Sequence, residues 1–564
     1  MIIGYVTGSF PATPYEFHVR LKGKMGENPD FVPRVEDVVK TTFEYPEYGR
    51  ITIYGIITEI SAQWDGEPME GFEEILAIEK KIKRTLRTYV AKVVVTRIIS
   101  KDGSSPEVPP IPGNPVHLVS EQKEIDIALG FEDIKSRKKE LPCGILKNGA
   151  MAYFDLDYVL GENGAHMNIS GQSGVAAKTS YMTFLMKSLI ENSRRVRKLK
   201  DAIFIVFNVK GQSLMFLDKP SLKWKMMVED GRAKNWLSMY EKMGIKPQPF
   251  ENVKFYAVSK SSVSEKPDSK RSDAIPYWWT TDEIFDLDLF ESIFDPDELS
   301  RNNNLQLAVM LVSDFMNDSK ENRRNIKNPS DLIEQLETEG SNLYKFLREK
   351  GELHKATIRL LKRRIQLAVK NGLDKLWRKR DSQENKVNWK DRGHVIVVDI
   401  SKLRSKMQAF VVGAILKEIM SEKEGEKDNL LGVPIFIFVD ELNKYAPRSE
   451  KSEIASIFRD VAERGRSFGV ILVGAEQTAS EVDYRVITQS STTIVGRQKW
   501  AELQKSEYGH LLPEQKIKAS TLKQGEVIVD QPFMRIPLTV EFPFPAWALN
   551  EDDVGASEEV PELL

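Results

Sequence analysis

The stretch Asn168–Ser180 sets a short apolar segment, a glycine-containing turn and then Lys178-Thr179 at the head of a helical pattern carried by Leu185, Leu189 and Ile190. That order suits phosphate binding. Backbone N–H groups and a helix N-terminus cradle anionic oxygens, a lysine reaches the terminal phosphates, and a hydroxyl holds Mg2+. On this reading Gly171, Ser173, Gly174, Val175, Ala176, Ala177, Lys178, Thr179 and Ser180 bind the nucleotide. The pattern G-x-x-x-x-G-K-[ST] is departed from twice. Gly171 lies one position too far from Lys178, and Ala177 replaces the second glycine. Taken alone, the stretch is either a lengthened nucleotide-binding loop or a chance match.

A second group decides between these. The apolar run Ile435–Val439 ends in Asp440-Glu441, and ligands sit at the carboxyl ends of parallel strands. There Asp440 would bind Mg2+ through water, while Glu441 would orient and deprotonate an attacking water. Acids are also favoured at helix starts for dipole reasons; the lysine loop upstream weighs against that plainer account. Arg464 and Arg466 precede the run VILVGAEQT. Arginines so placed can project from one subunit toward the nucleotide of the next and stabilise charge that develops in phosphoryl transfer. They can equally be solvated residues at a helix end. Gln477, which ends that run, is placed to sense the γ-phosphate or the water, or simply opens a polar loop; Arg497, after TTIVG, is a further candidate.

The elements that must position these residues follow from periodicity. Residues 1–120 read as all-β: GYVTGSF, EFHVRLKG, VEDVVKTTF, RITIYGIITEI and TYVAKVVVTRIIS alternate or run β-branched. A helical interruption spans Gly71 to Lys83, and the proline-rich Pro106–Pro115 reads as a tail or linker. A small barrel is the natural closure. Beyond it, Ile203–Phe207, His394–Ile400, Pro434–Val439 and Gly469–Gly474 are apolar runs suited to strands buried on both faces. This predicts an α/β core in two parts, 121–220 with the phosphate loop and 391–545. The interval 221–390 reads as a helical insertion with capping-type starts at Ser300 and Ser330-Asp331, and apolar faces through Leu347, Leu360, Leu361, Ile365, Leu367 and Leu373. An acidic tail, 546–564, closes the chain and is expected to be flexible unless a neighbouring subunit holds it.

Composition bounds the partners. With 81 basic and 83 acidic residues the net charge is −2, so no global field draws the chain to nucleic acid, and any polyanion-binding surface is local. Lys210-Gly211, after a core strand, and the basic helix Arg359–Arg364 are the candidate surfaces; such basic runs are commonly solvated. The single Cys143 excludes an intrachain disulfide and a cysteine-rich zinc site. No apolar run approaches a membrane span and no signal peptide opens the sequence, so a cytoplasmic protein without a membrane is expected.

With these pieces in order, the sequence resembles the HerA branch of the HerA/FtsK ATPases, hexameric DNA-pumping motors. The resemblance rests on the barrel-like GYVTGSF…GRITIYGIITEI unit, His166–Lys178, FNVKGQS, PIFIFVDELNKYAP, and the block AERGRSFGVILVGAEQTASEVDYRVITQSSTTIVGR. It implies a RecA-like P-loop ATPase core with an N-terminal β-barrel and a helical insertion, ATP and Mg2+ as cofactors, and a homohexamer translocating double-stranded DNA. It also implies a separately encoded effector, a nuclease or a sirtuin-like NAD-hydrolase, in DNA end processing or antiphage defence. Lys178, Thr179, Asp440, Glu441, Gln477 and Arg466 take the nucleotide, metal, catalytic, sensor and trans-arginine roles. The family's D-x-K-G-E segment reads Asn208-Val209-Lys210-Gly211-Gln212 here, without either acid. From another class, a nucleotide-regulated scaffold that assembles and activates an effector stays open. A conjugation or secretion ATPase is a third reading, disfavoured by the absence of a membrane segment.

Overall fold

The computed structural model describes residues 1–23, 29–65, 86–172, 178–193, 195–211, 213–379, 386–425, 430, 432–449 and 453–554. The expected helix Gly71–Lys83 and the loop residues Ser173, Gly174, Val175, Ala176 and Ala177 lie outside them. Strands, in chain order, are β1 (Ile2–Val6), β2 (Glu16–Leu21), β3 (Val38–Tyr45), β4 (Gly49–Asp65), β5 (Leu86–Ser100), β6 (Pro115–Val119), β7 (Glu140–Leu146), β8 (Met151–Asp155) and β9 (Ala165–Ser170). They continue as β10 (Ile203–Asn208), β11 (Val253–Val258), β12 (Ile275–Tyr277), β13 (Val395–Asp399), β14 (Ile435–Asp440), β15 (Val470–Glu476), β16 (Ser490–Val495), β17 (Glu526–Asp530) and β18 (Leu538–Glu541). The helices needed below are α1 (Lys178–Asn192), α2 (Asn303–Asp318), α3 (Pro329–Glu337), α4 (Asn342–Glu349), α5 (Lys355–Lys370), α6 (Ser405–Glu424) and α7 (Glu453–Phe468).

The chain forms two compact units, one of residues 1–156 and 493–542, the other of 157–492 and 543–564. In the first, β1-β2-β5-β4-β3-β6 close an antiparallel barrel. The barrel expectation holds, and the proline-rich Pro106–Pro115 ends on the first residue of the closing strand, Pro115–Val119, which pairs β1 on one side and β3 on the other. Proline at the first position of a strand costs no ladder bond that matters. Inward residues Phe17, Val19, Ile51, Ile53, Val93 and Val116 fill the interior. At Gly55, beside a register shift in β4, a Cβ would lie 2.5 Å from Val93 Cγ1 and 2.7 Å from the Val94 carbonyl oxygen, so the close strand approach requires glycine.

The same unit holds an antiparallel ladder in which β17 pairs β18, β18 pairs β7, and β7 pairs β8. Residues 121–156 and 493–542 therefore group with the barrel, whereas the sequence reading assigned them to the two parts of the core. The runs VIVDQPF and RIPLTVEF are strands, as read, but antiparallel ones.

In the second unit the strand order β12-β11-β13-β10-β14-β15-β9 builds a sheet whose strands pair in parallel. Every residue of β9, β10, β13, β14 and β15 is buried. That double-sided cover is why these strands read as unbroken apolar runs rather than alternations. The interval 221–390 is not purely helical. It supplies β11 and β12, which were missed because VKFYAV and IPY are short and lack the long apolar signature.

The helices α2 to α5 pack through Leu305, Val312, Leu332, Leu347, Leu361 and Ile365. Leu373 is buried as its spacing suggests, Leu360 is partly buried, and Leu367 faces out at 47% exposure. The cap of α3 is Asn328, not Ser330: its side chain accepts from the backbone N–H of Ser330 and Asp331, with Pro329 in the first turn. Ser300 lies inside the helix Pro296–Arg301, which Asp295 caps. The acidic tail begins anchored, since the buried Asp553 accepts a hydrogen bond of 3.0 Å from Ser221 Oγ. Among the described residues no helix is long and apolar enough to cross a membrane.

Candidate active site

Because β9, β15, β14, β10 and β13 are parallel and in register, their last residues meet at one edge of the sheet. These are Ser170, Glu476, Asp440, Asn208 and Asp399. β15 stands between the strand that leads into the lysine loop and the strand that ends in the two acids. The carboxyl ends of β9 and β14 are therefore separated by one intervening strand, and the residue after β15, Gln477, lies between them.

Lys178 is buried at the first turn of α1. Its ammonium donates a 2.8 Å hydrogen bond to Glu441 Oε1 and lies 3.3 Å from Asp440 Oδ1. Burial acts to lower its pKa, and the two carboxylates together raise it. Glu441 occupies the left-handed region at φ 62°, unusual for a residue with a side chain. Its backbone N–H is held at 3.0 Å by Asp440 Oδ1. Lys210 donates to the same Oε1, and Gln477 Nε2 approaches it at 3.4 Å. Burial would raise the Glu441 carboxyl, but the bonds from Lys178 and Lys210 outweigh it and hold the group at about 2. Glu441 is therefore an acceptor-only carboxylate at neutral pH.

The loop that carries Lys210 is set by its own strand end. Asn208 Nδ2 donates to the Gly211 carbonyl at 2.8 Å and to Asp399 Oδ1 at 3.0 Å, and its Oδ1 accepts from Ser213 Oγ at 3.1 Å. The acid missing from position 208 thus has a counterpart one strand away, at Asp399, paired with Asn208 in register. Gly171, where the expected phosphate loop begins, donates its N–H to the Glu476 carbonyl at 3.0 Å. The Glu476 side chain is fully buried and accepts a 2.6 Å bond from Asn168 Nδ2. Burial pushes its carboxyl up to about 8, so it is neutral at pH 7. Asn168, Glu476 and the Lys210–Glu441 contact were not singled out from the sequence. A polar residue inside each apolar run, MNIS and VGAE, was the available signal.

The structure brings Lys178, Asp440, Glu441 and Gln477 together, with Thr179 and Ser180 in the first turn of α1. Lys178, Thr179 and Asp440 suit a magnesium nucleotide: a buried ammonium, a hydroxyl and a carboxylate share one edge, and phosphate oxygens would complete the ion's shell. Arg464 and Arg466 sit elsewhere. They end α7, which feeds the amino end of β15, so they lie at the sheet edge opposite Glu441. Arg464 pairs with Asp460 and Glu424, and Arg466 donates to the carbonyls of Gly161 and Glu162 at 3.0 and 2.9 Å. Arg497 belongs to the other unit and donates to the Ser520 carbonyl at 3.2 Å. On the basic helix α5, Arg364 pairs with Glu298 and Lys362 with Glu337.

The chain matches no family model. Over 144 residues it is 27% identical to the DNA double-strand break repair helicase HerA of Pyrococcus furiosus, a match covering 21% of this chain and 26% of that protein. The chain thus spans about a quarter of the length of that relative. Among solved structures, the bacterial conjugative coupling protein TrwBdeltaN70 superposes with a TM-score of 0.48 at 10% identity, over 77% of this chain and 94% of that one. VirB4 of Thermoanaerobacter pseudethanolicus gives 0.42 at 14% identity, over 71% and 96%. The chain is thus a mixed α/β protein with a large sheet and a closed six-stranded N-terminal barrel, and its sequence likeness is to HerA.

Proposed function

We propose that the chain is an ATP-hydrolysing motor of the HerA type that moves double-stranded DNA, working in the cytoplasm as a homohexameric ring with a separately encoded nuclease or sirtuin-like NAD-hydrolase. The observation that carries the reading is the convergence of Lys178 on Glu441 and Asp440, at 2.8 and 3.3 Å, beside Gln477. Lys178 holds the β- and γ-phosphates, while Thr179 and Asp440 would hold a magnesium ion, which when bound would supply charge neutralisation to the phosphates. Gln477 orients a water and Glu441 takes its proton as the water oxygen bonds to the γ-phosphorus. The bond from phosphorus to the β-bridging oxygen breaks, and ADP leaves with its electron pair. Arg466, at the far sheet edge of its own chain, acts on the nucleotide of a neighbouring copy, with Arg464 and Arg497 as further candidates. The role is antiphage defence or DNA end processing.

A second reading has its own support. Glu441 is tied to two lysines and a glutamine, which suits a nucleotide-regulated scaffold that binds ATP, assembles an effector and turns over little. Phosphate release by the full-length protein, with and without linear duplex DNA, separates the two. The motor predicts turnover that duplex stimulates; nucleotide binding without turnover leaves the scaffold.

A further inference from the structure

Lys178 and Lys210 do different things at the same oxygen. Both donate to Glu441 Oε1. Lys178 has a second duty, because phosphates compete for its ammonium. Lys210 has none: among the described residues the only partner of its side chain is Glu441. A nucleotide that draws Lys178 toward its phosphates therefore leaves Lys210 as the cation on the base. Exposure separates the two again. The Lys210 side chain is 43% exposed and that of Lys178 only 6%, against 5% for the carboxylate they share. Among the described residues of this cluster, Lys210 is the most exposed cation and the one best placed for a macromolecule outside the pocket to touch.

The surrounding geometry makes that touch consequential. Lys210 follows β10 in a short loop fixed by Asn208 to Gly211 and by Ser213 to the Lys210 carbonyl at 2.9 Å. The backbone is tied, while the half-exposed side chain is held at its tip by Glu441. Glu441 sits in a left-handed conformation that a residue with a side chain keeps only when its surroundings over-determine it. Its carboxylate is oriented by the donors it meets, Lys178, Lys210 and Gln477.

We propose, resting on the motor reading, that Lys210 is a latch on Glu441, keeping the carboxylate turned from the attacking water until the phosphates of a DNA strand draw the ammonium away. Lys210 is thus a positioning residue: it acts through Glu441 and couples occupancy of the DNA path to hydrolysis. Attraction of an exposed lysine by phosphate is salt-sensitive and blind to sequence, as coupling in a translocating motor must be.

The test measures phosphate release by the full-length protein at saturating ATP, with and without linear duplex DNA, for wild type, Lys210→Met and Lys210→Arg. The latch predicts that Lys210→Met raises the DNA-free kcat by roughly tenfold with KM unchanged, since a held base is freed, and that duplex then adds less than about twofold. Lys210→Arg, which still pairs with a carboxylate, keeps the low basal rate and the stimulation. A Lys210→Met protein whose basal rate stays at or below wild type, or whose duplex stimulation is intact, overturns the latch while leaving the motor standing. If wild type turns over nothing, the latch still requires activity in Lys210→Met; silence in both, with ATP bound, overturns both readings.

Discussion

His166 is the second residue of β9, and its ring ties three elements together. Its Nε2 lies 3.0 Å from the Ala462 carbonyl on α7, and its Nδ1 accepts the Leu472 N–H of β15 at 3.0 Å. Both contacts are satisfied by the neutral ring protonated on Nε2. Burial lowers its pKa from 6.5 to about 4, which the Ala462 contact only partly opposes. The folded value lies below the unfolded one, so the stabilisation is fully present above about pH 6.5 and is lost as pH falls through about 4. The gap of about 2.5 units corresponds to about 3 kcal/mol in all, of which about 2 kcal/mol disappears between about pH 7.5 and about pH 5. Protonation removes the acceptor of the Leu472 amide, so hydrogen exchange at that amide reads the effect locally. Its protection, corrected for intrinsic exchange, should fall about thirtyfold over that window in wild type. His166→Asn tolerates the left-handed backbone at φ 62° and does not titrate in this range. Its Leu472 protection should stay flat. Parallel falls in both proteins would refute the claim that a neutral buried ring joins β9, β15 and α7.

Lys178→Ala removes the only described cation fully buried against Asp440 and Glu441 and should lower ATP affinity at least about a hundredfold, as followed by equilibrium binding of a fluorescent nucleotide. Arg466→Ala should bind ATP within about threefold of wild type yet lose about a thousandfold in turnover of the assembled protein; turnover equal to wild type would show that no arginine in trans is needed there. Asn208→Ala leaves the Gly211 carbonyl and part of Asp399 unsatisfied and should cost about 1–3 kcal/mol, seen as a lower midpoint in denaturant titration, with a loosened Lys210 loop.

Much of the fold was legible because double-sided burial writes itself into sequence: HVIVVDI, PIFIFVDE and FGVILVGA are core strands β13, β14 and β15. The barrel strands were legible through alternation and β-branching. Strands β11, β12 and β6 were not, being short and interrupted by proline or lysine. The grouping of 121–156 and 493–542 with the barrel was not legible either, since it depends on long-range pairing between segments far apart in sequence. At the site, Lys178, Asp440, Glu441 and Gln477 converge from segments up to 299 positions apart in number. Residue types at the ends of apolar runs foretold that convergence. The second lysine on Glu441, the Asn208–Asp399 exchange and the buried Asn168–Glu476 pair depend on which strands become neighbours, and no local pattern carries that order.

The central claim is that Glu441 is the base of an ATP-hydrolysing site. The most direct measurement is single-turnover release of phosphate from radiolabelled ATP by wild type and Glu441→Gln, with bound nucleotide identified at the end. The account predicts that wild type releases phosphate, whereas Glu441→Gln retains intact ATP and releases phosphate about 10²–10⁴ times more slowly. Equal release rates in the two proteins would contradict it.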